Sequence, residues 1–331
     1  MHLRMTVALI CLMGLTLLVV AGGAGTALGE PVASSGTADR TPSAMTIGQA
    51  AILGVVEGLT EYLPVSSTGH LLLAERLMGI GDARTGSAEE RQRTRDAVDA
   101  YTICIQAGAI IAVLGLYFRR VRQMLLGLAG KDPGGSRLLV NVVAGFLPAA
   151  FIGLLFNKAI KAYLFGPWPV VAAWFAGGVA ILAVGWWNRK TRRPAHQGLL
   201  LDDMTWRMAL GIGFAQCIAM WPGVSRSLVT IVGGLLVGLS LPAAVEYSFL
   251  LGVVTLGAAT AYDALKQGQV MLQTFDGLAI AVGLLFAFVS AVVSVKWMVA
   301  YLNRHGLAVF GYYRVVLALV TSLWIMSRTM A

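Results

Sequence analysis

Two glutamates in an apolar stretch are the first residues of this sequence that could do chemistry. Glu57 and Glu61 are four residues apart, so a helix would place them on one face. Ionisable groups inside a membrane segment are costly and usually functional, and neighbouring carboxylates raise that cost unless they share a proton or a cation. A hard cation such as Mg²⁺ or Ca²⁺ prefers oxygen ligands of this kind. The pair predicts a divalent-cation or catalytic site, against the alternative of an interfacial pair that faces water.

Hydroxyl side chains and a histidine follow the glutamates. His70 comes directly after the run Ser66, Ser67, Thr68, Gly69. If the backbone is helical there, Ser67 and His70 lie on consecutive turns as candidates for nucleophile and base. The sequence leaves two routes open. Either Ser67 attacks while His70 accepts its proton, or His70 attacks or activates water while Ser67 orients the substrate.

The opposite charge stands far along the chain. Arg226 is the only charged residue between Met208 and Ser240. A guanidinium binds phosphate oxygens in pairs, and free amides at a helix N-terminus add to an anion site. Three hydroxyl residues flank it and supply further donors: Ser225, Ser227 and Thr230. Together with the carboxylates and the histidine, this phosphate clamp suits phosphoryl transfer.

The composition indicates which elements position these residues. Of 331 residues, 57% are hydrophobic and 12% are charged, whereas a soluble domain is about 25% charged. This excludes a disordered chain, a coiled coil and a typical cytosolic enzyme. Six stretches reach the roughly 20 apolar residues that a bilayer crossing requires; they are 98–118, 138–157, 168–187, 244–262, 277–300 and 308–328.

Two further apolar stretches, 47–78 and 208–240, are interrupted in the middle by Pro64 and Pro222. Proline ends a helix, and irregular backbone at membrane depth survives only around a protected or wet cavity. Both stretches therefore predict re-entrant helical hairpins. Each hairpin is followed by three crossings, which is an odd number, so the second half enters the membrane inverted relative to the first. Such inverted repeats are typical of secondary transporters, which makes a transporter or flippase for an anion the alternative function.

The basic residues predict the sidedness of the protein. Lys and Arg dominate the segments 119–137 and 188–207, so both are predicted to be cytoplasmic. Much of the net charge of +9 lies there. No recognisable nucleic-acid-binding fold or basic surface with aromatic residues accompanies it, so nucleic acid is excluded as a partner.

The predicted fold class is an all-α integral membrane protein with six transmembrane helices plus two re-entrant helical hairpins arranged as an inverted-topology repeat. Residues 1–29 are predicted to be a signal peptide or an extra anchor helix, and 30–45 a disordered polar linker. Residues 46–331 then form one membrane domain, with repeat 1 over about 46–187 and repeat 2 over about 208–328. Gln106, Asn141 and Glu246 are interpreted first as helix-packing hydrogen bonders.

Two motifs carry a family resemblance. The segments Glu57–His70 (EGLTEYLPVSSTGH) and Trp221–Ser227 (WPGVSRS), with Thr230, closely resemble the signature motifs of the bacterial undecaprenyl-diphosphate phosphatases, the bacitracin-resistance family. The resemblance extends from about Thr46 to the C-terminus. Tyr62 stands where phenylalanine is commoner in the family, and Leu228 where glycine is frequent. Neither difference removes a polar group.

The resemblance implies hydrolysis of undecaprenyl diphosphate, which recycles the lipid carrier of peptidoglycan synthesis and gives bacitracin resistance. It implies a divalent cation, a polyprenyl diphosphate lipid and the bilayer as partners, and an active site facing the periplasmic side of the bacterial inner membrane. The oligomeric state is left open, with a homodimer as one arrangement. Carried onto this chain, the implied roles are metal binding or catalysis for Glu57 and Glu61, nucleophile for Ser67 or His70, and diphosphate clamp for Arg226, with supporting donors at Ser66, Thr68, Ser225, Ser227 and Thr230.

Overall fold

The computed structural model describes residues 45–80, 88–190 and 197–329, and this part of the chain is helical. The predicted signal peptide and nearly all of the predicted linker lie outside it. Apart from two one-turn 3₁₀ segments, Leu201–Asp203 and Ile218–Met220, the described residues form eleven α-helices. In chain order they are α1 Ile47–Thr60, α2 Ser67–Met78, α3 Ala88–Leu116, α4 Phe118–Leu128, α5 Pro133–Leu164, α6 Pro167–Lys190, α7 Trp206–Cys217, α8 Arg226–Leu236, α9 Leu241–Thr274, α10 Gly277–His305 and α11 Ala308–Thr329.

Six of these helices, α3, α5, α6, α9, α10 and α11, are long and apolar enough to cross a membrane. Each coincides with one of the six predicted crossings, although α3 ends at Leu116, two residues before the predicted end at 118. The prediction of six crossings is therefore confirmed, and the protein is a multi-pass membrane protein. Several helices start earlier than the apolar stretches do. The helix α5, for example, begins at Pro133 because the Asp132 side chain accepts a hydrogen bond from Gly135 N and caps it.

The two interrupted stretches each form a helix, a break and a second helix. The first break covers residues 61–66 between α1 and α2, and the second covers residues 221–225 before α8. Ser66 and Ser225, the last residues of the breaks, both have a φ of 75°. That backbone region is uncommon for residues other than glycine, and strained residues of this kind cluster at functional sites.

Close helix packing holds the interrupted segments inside the bundle. The helix α1 lies against α10 so tightly that a side chain at Gly54 would overlap the backbone of Gly283. The Ser294 hydroxyl donates to the Gly58 carbonyl across the same contact, at 2.8 Å. Small residues permit such backbone approaches in membrane bundles, and hydroxyl groups add hydrogen bonds between helices.

Two of the polar residues interpreted as packing residues have that role here. Arg120 donates to Glu246 at 2.8 Å and to Asp202 at 3.1 Å, which ties α4 to α9 and to the first 3₁₀ segment. The Asn141 side chain donates to the Met204 carbonyl, and the backbone carbonyl of Asn141 accepts from the Tyr247 hydroxyl, each at 2.8 Å. These contacts join helices to each other and to the first 3₁₀ segment, and none of them involves residues 61–66 or 221–225.

Candidate active site

The two breaks meet in the folded protein although about 160 residues separate them in sequence. The Ser225 hydroxyl donates to the Leu63 carbonyl at 3.3 Å, and the Ser227 hydroxyl donates to the Glu61 carbonyl at 3.0 Å. Ser225 also caps α8, since its hydroxyl accepts from Leu228 N. Two of the predicted supporting donors thus join the breaks to each other.

Glu61 is the centre of the site. Its Oε1 pairs with Arg226 Nη2 at 3.2 Å, and both side chains are at least nine-tenths buried. Its Oε2 accepts a short hydrogen bond from the Ser67 hydroxyl and a longer one, 3.4 Å, from Gln106 Nε2. One carboxylate therefore connects the predicted clamp with one of the two candidate nucleophiles.

Arg226 is held from several sides. Its Nη1 donates to the Ser248 carbonyl at 2.8 Å, and its Cζ lies 5.1 Å from the centre of the Tyr62 ring. Thr230 donates to the Arg226 carbonyl and contacts the Ser248 hydroxyl at 2.6 Å. The Arg226 Nε is buried without a hydrogen-bond partner. Buried donors are normally satisfied, so this atom is available for an acceptor from a bound anion.

Glu57 lies one turn before Glu61 on α1 and is 1% exposed. Both of its carboxylate oxygens are buried and have no hydrogen-bond partner. An unpaired buried carboxylate is unfavourable, and either a proton or a cation would remove that cost. The structure thus places the two glutamates on adjacent turns in a buried setting, against the alternative of a water-facing pair.

His70 is buried next to the site, but its ring contacts other groups than Ser67. Nδ1 lies 2.6 Å from the Ser66 carbonyl, which can only accept, so Nδ1 carries a proton and donates. Nε2 lies 2.8 Å from the Tyr313 hydroxyl, and the two rings are stacked. In this arrangement Glu61, and not His70, is the acceptor at the Ser67 hydroxyl. Of the remaining predicted donors, Thr68 is exposed at the start of α2.

The structure adds residues that the sequence analysis did not assign to the site: Gln106, Ser248, Tyr313 and Arg314. Gln106 had been interpreted as a packing residue, and it does accept from Thr260 in addition to its contact with Glu61. The sequence does indicate Arg314 as a candidate, because it is a charged residue inside the predicted crossing 308–328. Such residues are functional candidates by default.

Arg314 connects both breaks to α6. It is completely buried, and its guanidinium donates to the carbonyls of Pro64 at 3.3 Å and Gly223 at 2.9 Å. It also donates to Ala173 and Trp174 in α6. No described acidic side chain pairs with it, so it acts as a multiple donor to backbone carbonyls.

We expect Arg314→Met to destabilise the protein by roughly 2–4 kcal/mol, because buried carbonyls in both breaks lose their donor. The measurement is the thermal unfolding midpoint in detergent, with the exposed Arg304→Met as the control. An Arg314→Met protein as stable as that control would contradict this role.

Six crossing helices around a buried cluster of carboxylates, hydroxyls and an arginine define an integral membrane protein with a site suited to phosphate-containing ligands. The chain belongs to the family described as Bacitracin resistance protein BacA, whose model matches residues 50–320. The resemblance seen in the two motifs is thereby confirmed.

Named relatives cover most of the chain. An undecaprenyl-diphosphatase of Sorangium cellulosum is 48% identical over 277 residues, covering 83% of this chain and 85% of the relative. Undecaprenyl-diphosphatase 2 of Rhodospirillum rubrum is 45% identical, covering 82% of this chain and 92% of the relative. An undecaprenyl-diphosphatase of Acidovorax ebreus is 43% identical with the same coverage.

Proposed function

We propose that this protein hydrolyses undecaprenyl diphosphate to undecaprenyl phosphate and inorganic phosphate. The observation that carries the proposal is the buried contact of Ser67 and Arg226 with one carboxylate, Glu61. Family membership and relatives that bear the name undecaprenyl-diphosphatase support the choice of substrate. The reaction recycles the lipid carrier of peptidoglycan synthesis and accounts for bacitracin resistance.

Ser67 is the nucleophile in this proposal, and Glu61 is its base. The Ser67 oxygen attacks the terminal phosphorus while its proton passes to Glu61. The bond from that phosphorus to the bridging oxygen breaks, and undecaprenyl phosphate leaves and takes up the proton. Water then attacks the phosphoserine and gives a proton to Glu61, which returns it to the departing Ser67 oxygen. Free phosphate and the original enzyme result.

Arg226 binds the diphosphate in this reaction. The Arg226 guanidinium, whose Nε has no partner, is suited to charge-assisted hydrogen bonds with the phosphate oxygens. Those oxygens carry the negative charge that develops during the reaction. His70 is a positioning residue, because its donation to the Ser66 carbonyl helps to hold the strained turn that precedes Ser67.

We also propose a divalent cation at Glu57 and Glu61. The unpartnered oxygens of Glu57 fit such a ligand, since hard cations take carboxylate oxygens. Among the described residues no group of three or more His, Cys, Asp or Glu side chains gathers, so phosphate oxygens and water would complete the shell. When bound there, Mg²⁺ or Ca²⁺ would neutralise charge on the diphosphate.

Chelation with EDTA is therefore expected to stop phosphate release, and added Mg²⁺ or Ca²⁺ to restore it. Glu57→Gln should raise the cation concentration that gives half-maximal rate by about tenfold or more, because one charged ligand is lost. The control is Glu89→Gln, which changes an exposed glutamate in the first turn of α3. Full activity in EDTA would show that the metal role of Glu57 and Glu61 is wrong.

The helical hairpins are proposed to be re-entrant and the two halves to form an inverted repeat. Two residue pairs with the same 159-residue spacing support this: Gly54 with Gly213, and Ser66 with Ser225. Both serines share the same positive φ. Just as α1 meets α10 at Gly54, α7 meets α5 where a side chain at Gly213 would approach the Gly145 backbone.

A pair of tyrosines extends this correspondence. The Tyr101 hydroxyl of α3 lies against Gly283 and donates to the Ala279 carbonyl of α10, and the Tyr247 hydroxyl of α9 lies against Gly145 and donates to the Asn141 carbonyl of α5. Three crossings separate equivalent helices, so the halves have opposite orientations. With the basic segments in the cytoplasm, the site faces the periplasmic side of the inner membrane. A homodimer stays a prediction.

The prenyl chain of the substrate requires apolar surface beside the phosphate site. A groove with a volume of about 160 Å³ lies between α2, α6 and α11, and Gly69, Leu72, Trp174 and Ile325 are among its lining residues. Gly69 precedes His70, whose ring centre is 5.3 Å from that of Trp174. The groove therefore starts next to the site and is proposed to take the first part of the chain.

Purified protein in detergent tests the function directly. Incubation with a polyprenyl diphosphate and a divalent cation is expected to release inorganic phosphate in proportion to enzyme. A pure transporter, the alternative suggested by the repeat, would release none. That outcome would overturn the proposed reaction.

A further inference from the structure

Arg226 lies in a space that exists only because residue 252 is a glycine. The Arg226 side chain extends from α8 to α9, where Nη1 of its guanidinium donates to the Ser248 carbonyl. Gly252 is four residues after Ser248 on α9, so both are on the face that meets Arg226. A Cβ atom at 252 would overlap Nη1 and Cζ of Arg226 and would lie 2.6 Å from Nη2.

We infer that Gly252 is a positioning residue for Arg226 and so a determinant of diphosphate binding. The overlap involves the Cζ and Nη atoms of the guanidinium, and therefore a small rotation of one terminal group would not relieve it. Moving the head group would disturb its contacts with Ser248, with Glu61 and with the Tyr62 ring together. The inference rests on the proposed function in that Arg226 must bind the diphosphate.

The three atoms nearest to a Cβ at 252 all belong to Arg226, and the backbone there does not require a glycine. Gly252 lies inside α9, where glycine is a weaker helix former than alanine, and it has no positive φ. Alanine at 252 would thus favour the helix while displacing Arg226. The gain in helix propensity offsets part of the contact energy lost at Arg226, so the variant should still fold.

Gly252→Ala is expected to lower kcat/KM for a polyprenyl diphosphate by roughly 100-fold, as a displacement of about 1 Å in a catalytic group can do. The matched control is Gly257→Ala on the same helix, where an added Cβ would have no neighbour within 4 Å. That variant should stay within about twofold of the unsubstituted protein. Gly257→Ala should have a thermal unfolding midpoint equal to or above the original one. Gly252→Ala should still unfold in one cooperative transition, with a midpoint lowered by the loss of the Arg226 contacts.

A second background tests whether the effect passes through Arg226. Arg226→Lys removes the planar head group that Cβ would strike, so adding Gly252→Ala to it should change kcat/KM by less than about threefold. A further fall near 100-fold in the lysine background, or an unchanged kcat/KM of Gly252→Ala alone, would overturn the inference.

Binding of a non-hydrolysable prenyl methylenediphosphonate gives a readout that does not need turnover. Gly252→Ala should weaken this binding and Gly257→Ala should not. If the unsubstituted protein binds the analogue but releases no phosphate from the diphosphate, the proposed reaction fails while the positioning role of Gly252 is still measured. Equal affinity in Gly252→Ala and the unsubstituted protein would overturn the positioning role.

Discussion

Ser67→Ala should lower kcat for phosphate release by about four orders of magnitude, which is typical for loss of a nucleophile. The reason is that Ser67 is the hydroxyl bonded to the site carboxylate, whereas both ring nitrogens of His70 contact other groups. Phosphate release by purified protein in detergent, with the thermal midpoint as a folding control, measures this effect.

His70→Ala provides the matched comparison for the same reaction. Because His70 supports the turn at Ser66 and is not hydrogen-bonded to Ser67, we expect a fall of only about 100-fold. A phospho-enzyme trapped by acid quench should carry its phosphate on Ser67. Near-normal turnover of Ser67→Ala together with an inactive His70→Ala would instead assign the attack to His70.

Hydropathy and proline positions were sufficient to predict the six crossings and the two interruptions, but not α4, which lies in a segment predicted only as a basic cytoplasmic stretch. The six crossings and both interruptions are in the structure because each depends on local properties, namely the length of an apolar run and the missing donor of Pro64 or Pro222. The exact ends of the helices depend on single capping residues such as Asp132, whose side chain accepts a hydrogen bond from the first turn of α5. Those ends were less predictable for that reason.

The candidate site was predictable as a set of residue types but not as a set of contacts. Glu61 and Arg226 are exceptional as charges in apolar segments, and this made them candidates together with the proline breaks and the two motifs that contain them. Their pairing across 165 positions, and the choice of Glu61 over His70 at Ser67, depend on how α8 packs against the first break. Spacing along one helix contains no information about that packing.

A single sequence gives little indication of residues whose role depends on their small size or on hydrogen bonds to backbone carbonyls. Gly252 is one of 39 glycines, and the position of Arg226 beside it becomes visible only in the folded structure. Arg314 did stand out by charge, but its carbonyl partners lie in three separate elements. Only the tertiary structure shows that it joins the two breaks.

The buried pair of Glu61 and Arg226 has a consequence for substrate binding. Removing two charges from water is costly, and the attraction between them offsets this only in part. A diphosphate that enters the site brings further negative charge to Arg226, whose Nε is free while one Nη faces Glu61. The arginine can therefore bind phosphate without releasing the carboxylate that serves Ser67.

Arg226→Ala is accordingly expected to lower kcat/KM for a polyprenyl diphosphate by about 10³-fold, the order seen when a charge-stabilising arginine is lost from a phosphoryl-transfer site. Arg226→Lys keeps the charge but loses the planar fork, so an intermediate loss of about 10–100-fold is expected. The measurement is phosphate release over a range of substrate concentrations, so that kcat and KM are obtained separately.

The control for Arg226→Ala is Arg304→Ala, which removes an exposed cation at the end of α10 and should leave kcat/KM unchanged. Thermal unfolding in detergent must accompany both variants, because Arg226→Ala leaves Glu61 buried without its cationic partner. If Arg226→Ala is folded and retains more than about a tenth of the original kcat/KM, Arg226 is not the group that binds the diphosphate. The anion site would then have to be sought elsewhere than at the second break.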